Sequence, residues 1–163
     1  MKINDLTDVF HEQLKDMYSA EKQIIEALPE MINAASSSEL KKAFEDHLKV
    51  TKTQLEGVKE ILSDLGVNPG KTHCKAMEGI LKEATDMAKM DGDVNARDAG
   101  LICMAQKVEH YEIATYGSLC SWAKELGEDE IANKLQTILD QEYDADNKLD
   151  KLAESRLNER AKS

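Results

Sequence analysis

Glu109 and Glu112 stand one helical turn apart inside a stripe that is otherwise built for a core. The stripe runs Ile102, Ala105, Glu109, Glu112, Tyr116, Leu119, Ala123, in steps of three or four, so both carboxylates face the same way. Three more stretches repeat the arrangement. Glu21 interrupts Phe10, Leu14, Met17, Ile24, Leu28 and Met31, and His47 with Thr51 interrupts Leu40, Phe44, Leu55, Val58, Leu62. Glu142 interrupts Ile131, Leu135, Ile138, Leu149 and Leu152, with Asp146 one turn on, nearer the stripe's edge. A buried carboxylate costs several kcal/mol unless it is paired or bound to a cation. Four helices that each accept that cost imply one shared polar site inside a bundle. Glu, Asp and His without sulfur suit iron, manganese or zinc, and so many carboxylates around one imidazole suit a two-metal centre.

Depth can be read by counting from the turns. Glu21 lies 15 residues before Ser36 and His47 lies 11 after it, while Glu112 and Glu142 each lie 15 from Gly127. At about 1.5 Å per residue these side chains fall within a turn or so of one level. Position 50, 14 residues after Ser36, is where a ligand from the second helix is best placed, and it is Val50. Like charges at Glu109 and Glu112 repel unless something positive intervenes, and Lys107 or Arg97 are the cations within reach in the sequence. Tyr18 and Tyr111 flank the carboxylates as candidate hydrogen-bond donors. His110 lies about 100° off the stripe, at the surface or an interface.

The elements that must position these residues are four long helices. Helix 1 is predicted from about Leu6 to Ala35, capped by Asn4 or Asp5, with a kink or restart at Pro29. Ser36 with Glu39 reads as a capping box opening helix 2, which stops at Leu65-Gly66. Asn68-Pro69-Gly70 marks a loop, and a shorter helix from Cys74 to Met90 carries a one-sided apolar face. Helix 3 of the main set runs from near Asn95 to Leu126-Gly127. Helix 4 runs from the acidic Glu128-Asp129-Glu130 to Leu152, and residues 154–163 form a charged tail expected to fray. Two hairpins joined by a 29-residue crossover, Gly66 to Val94, are the ferritin-like class of four-helix bundle, here with a fifth, shorter helix in the crossover. One all-α domain spans residues 1–163.

Composition agrees with that fold. The chain has 163 residues, only two prolines and eight glycines, and 4% aromatics. With 32 acidic against 21 basic residues the net charge is −11, which argues against a nucleic-acid partner. No run of about 18 apolar residues exists, so no membrane span is expected, and no signal peptide is visible. Cys74, Cys103 and Cys120 form no CxxC pair and read as buried thiols of a reducing, cytoplasmic protein. No organic cofactor is expected.

Four segments resemble a known family. These are Ala20-Glu21-Lys22-Gln23, His47-x-x-x-Thr51-x-x-Gln54, Cys74-x-Ala76-Met77-Glu78-Gly79, and above all Gln106-Lys107-Val108-Glu109-His110-Tyr111-Glu112-Ile113-Ala114. They are similar to the YciE/YciF family of bacterial ferritin-like stress proteins, over nearly the whole chain. The resemblance implies a rubrerythrin-like homodimer with a dinuclear iron or manganese centre. It carries Glu21, His47, Glu109, Glu112 and Glu142 onto the family's inward polar residues. The family's carboxylate three residues after the histidine is Val50 here, so the implied centre is short of a ligand on the helix 2 side.

The expected chemistry is redox, an iron pair meeting peroxide or oxygen in a stress-protective role. No rubredoxin-type cysteine set is present, so turnover would need an external reductant. The rival is a non-catalytic dimeric bundle whose polar core is satisfied by internal ion pairs and whose crossover helix supplies the contact. An iron-storing cage is the less favoured assembly.

Overall fold

The computed structural model describes residues 3–162 and is helical throughout, in the order α1 (Leu6–Ala34), α2 (Ser38–Asp64), α3 (Lys75–Ala88), α4 (Val94–Glu125), α5 (Asp129–Leu152) and α6 (Asn158–Ala161). Asp5 caps α1 through the Asp8 amide at 3.1 Å, and Asp93 caps α4 through the Asn95 and Ala96 amides, both at 2.9 Å. The sulfur of Cys74 accepts from the Met77 amide at 3.4 Å and caps α3. Gly66 and Gly127 adopt φ of 65° and 76°. In each case the next amide returns to the carbonyl five residues back, Val67 to Leu62 at 2.8 Å and Glu128 to Ala123 at 2.9 Å. α1 continues through Pro29 to Ala34 without a restart.

α1 pairs with α2 and α4 with α5, while α1 also packs on α4 and α2 on α5. Two contacts fix the directions. Asp98, at the start of α4, accepts the Ser36 and Ser37 amides at 2.8 and 2.7 Å, so the α1–α2 turn lies beside the beginning of α4. Lys134, at the start of α5, meets Asp64 at the end of α2 at 2.9 Å. The two hairpin turns therefore sit at opposite ends of the bundle, and the crossover must traverse its length. That is the ferritin-like topology expected. It also explains the depth count: in helices of about 30 residues, 15 from either end is the middle.

α3 covers the α1–α4 side, burying Met77 and Ala84, with Met87 against Gly100 of α4. Ile80, Leu81, Met87 and Ala88 of the same apolar face are half-buried. α4 is packed by α1, α3, α5 and α6, and so buries residues on several faces.

Two local expectations are corrected. Ser37, not Ser36, caps α2, accepting the Leu40 amide at 3.4 Å, because Asp98 holds both serine amides and sets the turn one residue later. The stretch expected to fray is helical instead. A π-helical turn, Ala153–Leu157, leads into α6, and Leu157 is buried and anchors it against α4. Ser163 lies outside the described residues.

Asp98 is itself buried, and its two charge-assisted bonds lock the turn to α4. Asp98→Ala should cost about 2–3 kcal/mol, lowering Tm by roughly 5–10 °C in a thermal melt. A shift under about 2 °C would show that the clamp is not needed.

Candidate metal centre

α1, α2, α4 and α5 bring Glu21, His47, Glu109, Glu112 and Glu142 to one level in the bundle. All four glutamates are at most 2% exposed. One ligand atom each of Glu21, Glu112 and Glu142 lie within 4.8 Å of one another, and so do one each of His47, Glu109 and Glu112. Glu112 belongs to both groups. His47 Nδ1 is 3.2 Å from Glu109 Oε1.

The electrostatics of the cluster follow from burial and mutual repulsion. Glu21 is pushed up to about 8, first by burial and then by the nearby Glu142. Glu142 is raised to about 7 by burial, although Gln54 opposes the shift. Burial and then Glu142 raise Glu109 and Glu112 well above the carboxylate range. Burial takes His47 the other way, down to about 4, which leaves it a neutral ligand near pH 7.

Polar partners satisfy only part of this. The Tyr116 hydroxyl donates a very short hydrogen bond to Glu21 Oε1, and Gln54 Nε2 donates another to Glu142 Oε1. Gln54 also reaches Gln141 Oε1 at 3.1 Å. Glu21 Oε2, Glu109 Oε2, Glu142 Oε2 and both oxygens of Glu112 are buried with no donor. Lys107 does not fill the gap, being bound to Glu83 at 2.7 Å on the surface. Arg97 instead reaches the Met90 carbonyl and Ser36 Oγ, both at 3.5 Å. Neither cation sits between Glu109 and Glu112. Five buried carboxylate oxygens around one imidazole, with no lysine or arginine paired to them among the described residues, form a donor set that fits cations of the iron and manganese kind.

Comparison with known proteins agrees with the fold and the motifs. Residues 5–162 match a family model described as a domain of unknown function, DUF892. Protein YciF of Escherichia coli K12 is 39% identical over 164 residues, covering 100% of this chain and 99% of YciF. The chain belongs to this YciF-like family. The crystal structure of the E. coli stress protein YciF superposes with a TM-score of 0.92, at 39% identity over 96% of this chain and 99% of that one. YcfI of Rhodopseudomonas palustris, described as a candidate structural protein, gives 0.87 at 40% identity over 91% and 95%. A protein of Xanthomonas campestris at 23% identity gives 0.76 over 98% and 100%, and shows the fold alone.

The remaining expected residues lie around the centre rather than in it. Asp146 belongs to neither donor group; its Oδ2 meets the exposed His110 Nε2 at 3.1 Å, although its Oδ1 is buried without a partner. Thr51 is buried and donates to the His47 carbonyl at 2.8 Å, which ties it to its own helix. Tyr18 lies under Lys22 Nζ at 5.8 Å. Tyr111 donates to Asp16 Oδ2 at 2.7 Å and meets Cys74 Sγ at 3.1 Å. The phenol that reaches the carboxylates is Tyr116, one turn beyond Glu112 on the same stripe. Gln54 also escaped the candidate set, although it lies seven residues past His47 on the helix's inner side. Cys74 and Cys120 are buried as expected, whereas Cys103 is exposed, because it falls on the outward side of α4.

A pH dependence follows for the metal-free protein. With Glu21 and Glu142 raised when folded, their contribution to stability is complete below the ordinary carboxylate pKa and lost as pH rises through about 7 to 8. His47, depressed when folded, instead reduces stability as pH falls from 6.5 toward about 4. The Tm of metal-free protein should therefore drop by several degrees from pH 6.5 to 8.5. A flat or rising Tm over that interval in differential scanning calorimetry would contradict these shifts.

Proposed function

We propose that this chain is a carboxylate-rich, ferritin-like metal protein that holds two iron or manganese ions. His47, Glu109 and Glu112 would hold one, and Glu21, Glu112 and Glu142 the other. The observation that carries this reading is Glu112. It belongs to both donor groups, and both its oxygens are buried without a donor. Bound metal would supply one-electron chemistry toward peroxide or oxygen, which fits a role in stress like that in the description of E. coli YciF. The chain's own residues would exclude water, keep His47 neutral and hold Glu21 and Glu142 through Tyr116 and Gln54. A homodimer in the cytoplasm, drawing on an external reductant, completes the reading.

The description of YcfI favours a second reading, a structural bundle with an internally satisfied core. Tyr116 and Gln54 satisfy part of that core, but five oxygens are left over and no lysine or arginine among the described residues pairs with them.

Titration of Mn(II) into metal-free protein decides between the two. Wild type should take up two equivalents. Glu112→Gln should lose both sites, while Glu21→Gln should keep about one. Uptake well under one equivalent by wild type, or unchanged uptake by Glu112→Gln, would support the structural bundle.

A further inference from the structure

A cavity of about 220 Å³ opens between α2 and α5 and runs inward to the same cluster. Leu28, Met31, Leu101 and Met104 wall it, and His47, Glu109 and Glu142 close its inner end. Asp46, Val50, Asp144 and Lys148 form the mouth. We propose that this cavity is a binding pocket for a small, neutral, apolar molecule of about the size of a bicyclic arene, held beside the metal centre as its substrate. Binding itself needs only the cavity; the assignment as substrate pocket rests on the metal reading above.

Three observations carry this. The first is size: an apolar cavity of about 150 Å³ accepts benzene, so this one has room for a second fused ring. The second is the inner end, where Glu109 is 2% exposed and its Oε2 has no donor. An apolar shaft ending on a few convergent polar groups is the common build of a small-molecule site. The third is Val50. It stands at the depth where a further carboxylate was expected, yet lines the cavity and is 36% exposed. On the α2 side an apolar residue therefore stands where the cavity opens. The wall selects the visitor. Between mouth and inner end the shaft is lined by Leu28, Met31, Leu101 and Met104, so a charged molecule would lose its hydration there without gaining a counter-ion.

The test uses indole and the full chain. Titrated into metal-free protein and followed by methyl NMR, indole should bind saturably and shift Met31, Met104 and Val50. Ala27→Leu and Ala145→Leu, which each add bulk to the lining, should weaken binding at least tenfold, and indole-3-acetate should bind at least tenfold more weakly than indole. In Mn(II)-loaded protein the resonances of bound indole should broaden paramagnetically. Absence of saturable binding overturns the proposal whatever the metal content. So does equal binding by both filled variants, or binding that appears only on dilution to monomer, which would make the occupant a second copy. Indole binding without paramagnetic broadening would support the pocket and count against the metal centre.

Discussion

Four glutamates buried at one level of a helical bundle are the constraint on which the rest of this structure depends. Each costs several kcal/mol to desolvate as a carboxylate, and each raises the cost of the others. The chain supplies a phenol and an amide, Tyr116 and Gln54, but among the described residues no lysine or arginine pairs with the cluster. Either protons or cations must neutralise the remainder. The raised pKa values describe the first solution, and the two donor groups that share Glu112 describe the second. Metal and protons compete for the same oxygens, so affinity for the ions should rise with pH as stability of the metal-free chain falls.

Holding such a cluster requires the helices to be pinned far from it. Asp98 clamps the first hairpin to the start of α4, and Lys134 with Asp64 ties the other end. These contacts keep two antiparallel pairs in register, so that residues midway along each helix meet. The crossover then has to travel the full length of the bundle, and α3 uses that journey to seal the α1–α4 side. α4 sits at the junction of all these surfaces, which is why it carries two of the four glutamates and Tyr116.

Much of this was legible in the sequence. Helical periodicity located the four long helices and the polar interruption in each, and the crossover length identified the bundle class. The count from the turns brought Glu21, Glu112 and Glu142 to one level because the turns lie at opposite ends of the bundle and these residues lie midway between them. It also picked out Val50, which is 36% exposed. What escaped were side chains whose role depends on a neighbouring helix. Asp98 looks like any acid near the start of a helix until the Ser36-Ser37 amides arrive. Tyr116 and Gln54 read as core positions because a phenol or an amide in a stripe packs well whether or not it finds a carboxylate. Asp146 sits at the edge of its stripe, where a small rotation of α5 decides between the cluster and His110. Leu157 is a single apolar residue in a charged segment, too little for periodicity to register.

The central claim is that cations, not protons or internal partners, balance the buried glutamates. Anomalous scattering at the iron and manganese edges, from crystals of protein purified from metal-replete cells and never exposed to chelator, tests it most directly. The account predicts two peaks, one on each side of Glu112, with His47 beside only one of them. Clean difference maps with no anomalous density inside the bundle would contradict it.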